Sequence, residues 1–192
     1  MTAPIHDKPL RADARRNREK LLAAAVELFA ERGTEGSLEE VAKRAGVGIG
    51  TLYRHFPTRD ALVEAAYRNE VAQLRAAADE LLTELPPDRA LEAWMGRFVE
   101  YGSAKRGMRD ALQSIAGAGS ELFADTRGQV VEAVAVLLRA GAEADSLRAD
   151  VEAEDVLRAM GAIWMVADGE DFSEQAMRVL RLVLDGLRYR AS

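Results

Sequence analysis

Residues 37–56, Ser-Leu-Glu-Glu-Val-Ala-Lys-Arg-Ala-Gly-Val-Gly-Ile-Gly-Thr-Leu-Tyr-Arg-His-Phe, restrict what this chain can fold into more than any other stretch. Ser37 stands three residues before Glu40. At that spacing a serine hydroxyl accepts a first-turn backbone N–H while the carboxylate reaches back to the serine amide, which starts a helix. Along it Leu38, Val41, Ala42 and Ala45 recur at i, i+3, i+4 and i+7 as one apolar face, and Glu39, Lys43 and Arg44 are left to water. Gly46 stops this helix. A second helix is expected from about Gly48 to His55, with Val47, Leu52 and Phe56 turned inward. Its outer face then carries Ile49, Gly50, Thr51, Tyr53, Arg54 and His55. Two helices crossing this closely need a minimal side chain at the contact, which Ala42 supplies, and a turn residue that tolerates positive φ, which Gly46 supplies. Such a pair is either a packed hairpin in an all-α core or a helix-turn-helix, whose second helix reads the major groove of DNA.

The flanks favour the second alternative. Arg15, Arg16 and Arg18 lead into Leu21, Leu22, Ala25, Val26, Leu28 and Phe29, an apolar stripe at helical spacing that ends at Gly33. This predicts a first helix of about five or six turns, preceded by a flexible arm over residues 1–12. Its basic end can reach phosphates or the minor groove. Downstream, Pro57 breaks the chain and Thr58 caps a new helix, which puts Arg59 at a helix N-terminus, a position suited to phosphate.

Charge divides along the chain in the same sense. The net charge of −6 is unexpected for a DNA binder. Residues 1–60, however, hold 11 Lys and Arg against 9 Asp and Glu, a net of +2, while the remaining residues hold 15 against 23, a net of −8. Two regions with different partners account for that asymmetry.

Composition removes several classes. With 192 residues, 48% of them hydrophobic, there is ample material for a core. The absence of cysteine excludes disulfides and thiolate metal sites. The two histidines, His6 and His55, cannot assemble a histidine-based triad or a multi-histidine metal site. The acidic pairs Glu39-Glu40 and Glu154-Asp155 fall on solvated helix faces. No enzyme, cofactor or metal is therefore expected. No apolar run is long enough to cross a bilayer and residues 1–10 lack a secretory apolar region, so a cytoplasmic protein without a membrane partner is expected.

Beyond Thr58 the pattern stays helical and no strand pattern occurs, so the fold class is all-α. Val63, Tyr67, Val71, Leu74, Ala78 and Leu81 form one stripe, up to Pro86-Pro87. Asp88 is expected to cap the next helix. Further helices are expected up to the Gly117-Ala118-Gly119 break, over 122–138, and over about 152–167 and 172–189, the last opened by a capping box of Asp171 and Glu174. Trp94, Met95, Phe98, Tyr101, Met108, Arg109, Phe123, Met160 and Trp164 are candidates for an internal ligand pocket, although aromatic and methionine stripes at this spacing are also ordinary core. Val156, Ala159, Ile163, Phe172, Ala176, Val179, Leu180, Val183, Leu184 and Leu187 fit either the core of one chain or a four-helix interface between two.

At this point a family resemblance adds to the reading. From about Arg15 to Leu62 the chain resembles the N-terminal domain of TetR-type transcriptional regulators, in its helix Leu-Leu-Ala-Ala-Ala-Val-Glu-Leu-Phe-Ala-Glu-Arg-Gly, its Ala45-Gly46-Val47 turn, its Gly50-Thr51-Leu52-Tyr53-Arg54-His55-Phe56 run and its Arg59-Asp60-Ala61-Leu62. Residues 147–155 are similar to the loop that opens that family's first dimer-forming helix. The resemblance implies about nine helices: a three-helix helix-turn-helix domain over 1–57, and an effector-binding and dimerisation domain over 58–192. It implies that Ser37, Thr51, Tyr53 and Arg59 touch phosphates and that Gly48, Ile49, Gly50 and Thr51 face base edges. Gly48 departs from the serine or threonine frequent there. It further implies a homodimer on a palindromic double-stranded DNA operator, acting as a repressor released by a small-molecule effector. A regulator without an effector, or a non-DNA all-α interaction module, is the alternative.

Overall fold

The computed structural model describes residues 7–116, 121–165 and 171–188. Its regular elements are all helical. They run α1 Asp7–Arg32, a 3-10 turn Gly33–Glu35, α2 Leu38–Arg44, α3 Ile49–His55, α4 Arg59–Glu84, α5 Pro87–Gly107, α6 Arg109–Ala116, α7 Glu121–Glu143, α8 Ala153–Met160, a 3-10 turn Gly161–Met165, and α9 Phe172–Arg188. The nine helices and the absence of strands among the described residues agree with the expected all-α class.

Several boundaries differ from the expectation. Helix α1 begins at Asp7, so residues 7–12, assigned above to a flexible arm, are helical. Helix α5 begins at Pro87, where the absent N–H costs nothing and φ is preset, and Asp88 lies in its first turn rather than at its cap. The helix expected over 152–167 is α8 alone, which Gly161 ends before the chain tightens into 3-10 geometry. The break at Gly117-Ala118-Gly119, residues 1–6, and the expected ends at 167 and 189 lie outside the described residues.

The chain divides into two compact units, the described parts of Met1–Asn69 with Ala104–Ala118, and of Glu70–Ser103 with Gly119–Ser192. The boundary expected after Pro57 thus falls within α4, and the reason is the apolar content of α4's opening turns. Leu62, Val63, Ala66 and Tyr67 are all buried, and the Arg59 guanidinium lies 5.3 Å above the Phe29 ring. The head core needs these side chains in addition to Leu21, Leu22, Leu28 and Phe29 of α1.

The corner between α5 and α6 belongs to the head as well. A Cβ built on Gly107 would stand 2.2 Å from the Phe29 carbonyl oxygen and 2.9 Å from the Ala30 Cα, so only glycine lets this corner lie on the end of α1. In the second unit α8 packs against α7 and α9, and Trp94 donates from Nε1 to the Leu74 carbonyl at 2.8 Å.

Candidate nucleic-acid interface

The expected capping box is present. The Ser37 hydroxyl accepts from the Glu40 amide at 3.1 Å, and the Ser37 amide donates to Glu40 Oε2 at 3.0 Å. That amide, together with the Arg32 guanidinium 2.7 Å from Oε1, holds the Glu40 carboxyl below its ordinary pKa. Because a hydroxyl both accepts and donates, Ser37 still has its proton to donate while it caps α2. Helix α2 then ends into Gly46, whose φ of +68° is the left-handed conformation the turn required.

Arg44, exposed as expected, is also a tie. Its guanidinium grips Glu31 of α1 through two bonds of 2.8 and 2.7 Å, and this pairing lowers the Glu31 pKa. With Arg32–Glu40 it fixes α2 against the end of α1 at its polar edge. Nothing in the local sequence pattern signals a pair thirteen residues apart.

Helix α3 sits on this frame by its inner face alone. Leu52 and Phe56 are buried and Val47 is half-buried, whereas Ile49 is 38% exposed and Tyr53 46% exposed, with Arg54 also exposed. Gly48 is the N-cap, in extended conformation and without a side-chain cap, and its carbonyl accepts from the Thr51 amide at 2.8 Å. Gly48 and Gly50 are both exposed, and Thr51 is half-buried. The outer face expected from spacing is therefore the solvent face of the folded head.

The flanking basic residues separate into two groups. Arg18 lies with its guanidinium 5.5 Å over the Phe56 ring and borders, with His55, Glu64, Arg68 and Asn69, a groove of about 460 Å³. His55 is half-buried, its ring 6.2 Å from that of Phe56. The structure thus brings Arg18 and His55 together at the end of α3. Arg15 and Arg16 instead pair along α1, with Glu19 and Asp13, on its exposed surface. Arg59, at the first position of α4, is engaged over Phe29, while Thr58 Oγ1 accepts from the Ala61 amide at 3.1 Å as the cap.

In the second unit Trp94, Phe98, Tyr101 and Trp164 form one aromatic cluster, with ring centroids 5.8 to 6.4 Å apart, and Met95 and Met160 are buried. Phe123 is half-buried. Met108 and Arg109, expected beside them, belong to the head unit, because Gly107 seats the chain there. A polar cleft of about 70 Å³ is lined by Glu70, Gln73, Leu74, Arg97, Glu100 and Tyr101. Burial, then the nearby Glu100 carboxylate, pushes the Glu70 pKa up.

The interface candidates on α8 and α9 divide by burial. Val156, Ile163, Phe172, Ala176, Leu180, Leu184 and Leu187 are buried within the single chain and form its core. The other candidates, Ala159, Val179 and Val183, are exposed or half-exposed, and Ala162, Leu182 (74% exposed) and Met165 (90% exposed), which were not among them, face outward as well.

No helix among the described residues is long and apolar enough to cross a membrane, and no group of acidic or histidine side chains there could hold a metal ion. Residues 21–66 match the family described as bacterial regulatory proteins, tetR family, and residues 86–189 match the one described as transcriptional regulator SbtR-like, C-terminal domain. A TetR transcriptional regulator from Streptomyces coelicolor is 48% identical, with a TM-score of 0.84 over 91% of this chain and 99% of that one. A TetR transcription regulatory protein from Mycobacterium vanbaalenii is 35% identical, with a TM-score of 0.76 over 94% of this chain and all of that one. An HTH-type transcriptional regulator of Staphylococcus aureus is 44% identical over 54 residues, 28% of this chain, which spans 29% of that curated relative.

Proposed function

The chain belongs to the tetR family of bacterial regulatory proteins, a family of DNA-binding transcriptional regulators, and from that premise we propose that it is a homodimeric repressor released from its operator by a small molecule. One observation carries the DNA-binding part: α3 stands on Leu52 and Phe56 with Ile49, Tyr53 and Arg54 in solvent, a helix held at its back and free at its front. Tyr53 suits the edge of the interface, since a phenol hydroxyl reaches a phosphate while its ring packs on the helix. Arg18 and His55 extend the contact along the backbone.

Homodimerisation is supported by the outward stripe of Ala159, Ala162, Met165, Val179, Leu182 and Val183. Exposed large apolar side chains grouped on one face mark an interface, and a two-fold pair places two copies of α3 one helical turn of DNA apart, about 34–36 Å. The small residues on α8 allow a close approach.

The effector part rests on the aromatic cluster of the second unit. The cleft of about 70 Å³ is below the several hundred Å³ of a drug-sized site, so an apolar effector enters by parting Phe98, Tyr101 and Trp164. It releases DNA only to the extent that it binds the released state more tightly. The protein acts in the cytoplasm, without a cofactor and without catalysis.

The test is selection of duplexes from a random-sequence pool by the full-length protein. Recovery of an inverted repeat, bound with a strong salt dependence, is the expected outcome. Failure to enrich any sequence at low salt contradicts the proposal.

A further inference from the structure

The glycines of the head differ in what demands them. Gly46 is required by its φ of +68°, and Gly36 by space, because a Cβ there would lie 2.6 Å from Leu28 Cγ. Gly48 and Gly50 answer to neither. A Cβ on either would meet nothing within 4 Å, and neither has a positive φ. Inside a helix glycine is moreover the less stable choice against alanine, which bears on Gly50; at an N-cap, where Gly48 stands, glycine is well tolerated. At Gly50 the chain keeps bare backbone beside Ile49 with no internal reason to do so. The reason therefore lies outside the chain, on the face α3 presents to DNA.

Between the two glycines Ile49 projects alone. It is a large apolar side chain 38% exposed, and Tyr53 lies one turn further along the same side of the helix. A branched aliphatic group offers no hydrogen bond. In the major groove the one apolar feature that distinguishes a base pair is the 5-methyl group of thymine.

Resting on the DNA-binding reading above, we propose that Ile49 is a specificity-determining residue that selects a thymine in each half-site through its 5-methyl group. Gly48 and Gly50 are the bare shoulders that let α3 sink far enough for that contact. Recognition at this end of α3 is apolar: the preference is for A·T over G·C by methyl contact, with no hydrogen-bonded base partner at position 49.

The test uses the highest-ranking duplex recovered from the random pool, synthesised with deoxyuridine in place of each thymidine in turn, which removes a methyl group and nothing else. One thymine per half-site is expected at which the exchange weakens binding of the unaltered protein about fourfold, the loss that corresponds to burying a single methyl or methylene group. Ile49→Ala should bind the unsubstituted duplex more weakly and show no further loss on that exchange, and Ile49→Val should retain part of it. Gly50→Leu should reduce affinity at least tenfold while its thermal unfolding is not lowered, since nothing in the chain occupies the added volume and leucine is the better helix former.

Uracil tolerated at every position, or the same thymine sensitivity retained in Ile49→Ala, overturns the proposal and leaves DNA binding intact. A pool from which no duplex is enriched overturns both together.

Discussion

Helices α3 and α9 are both amphipathic on their inner faces and differ on their outer ones. Helix α3 buries Leu52 and Phe56 and turns a small and polar surface outward, with Ile49 as the one large aliphatic on it. Helix α9 buries Phe172, Ala176, Leu180, Leu184 and Leu187, then repeats an apolar stripe on its flank at Val179, Leu182 and Val183. A helix with one apolar face is satisfied by one core; a helix with two needs a second partner. The difference assigns α3 to a hydrated, charged partner and α9 to another apolar surface.

Two leucines of α9, two positions apart, distinguish its inner face from its flank. Leu184→Ala should lower the unfolding free energy by about 2–5 kcal/mol, because it opens a cavity in the core of one chain. Leu182→Ala should leave unfolding of the separated chain within about 0.5 kcal/mol. Urea titrations of both variants at matched low concentration check this; equal losses would mean that the two stripes are not distinct. Next in size, Leu182→Arg should halve the sedimenting mass and weaken operator binding on the order of 100-fold, as expected when two linked heads become independent. An unaltered mass would remove α9 from the interface.

In the head, Ser37→Ala removes one side of the capping box and should cost about 1 kcal/mol of stability, read from the urea midpoint. A smaller effect is expected from Glu70→Gln. The folded protein holds the Glu70 proton more tightly than the unfolded chain, so stability falls as pH rises through the ordinary carboxylate value of 4.5 and up to the raised one, and the penalty is complete above both. Glu70→Gln should therefore raise the melting temperature at pH 7, by less than about 1 kcal/mol of stability, and lose that advantage at pH 4. A gain of equal size at both pH values would separate it from the carboxylate charge.

What could be read from the sequence follows the same comparison. The head was legible because its signals are local: the Ser37–Glu40 spacing, the i, i+3, i+4 pattern and a glycine turn each act within one or two turns of chain. Its outer face was legible because polar and glycine residues do not resemble core. Which of the α8 and α9 candidates face outward was not, since buried and exposed apolar side chains have the same composition, and only tertiary packing decides which is inside. The compact units divide within α4 rather than after Pro57 for a related reason. Pro57 and Thr58 do end one helix and cap the next, but Leu62, Val63, Ala66 and Tyr67 continue the head's core past that punctuation. That Met108 and Arg109 lie with the head was not legible either, because the contact of Gly107 with Phe29 and Ala30 joins residues far apart in sequence. The Arg44–Glu31 tie was hidden in the same way.

Hydroxyl-radical footprinting of the whole chain on its selected duplex distinguishes two copies of α3 reading one operator from a single two-fold assembly from heads that bind independently. Two equivalent protected patches on one face of the DNA, centred one helical turn of 34–36 Å or a multiple of it apart, are predicted, and both should vanish together in Leu182→Arg. A single patch, or two patches that persist in Leu182→Arg at the same protein concentration, would contradict the two-fold assembly.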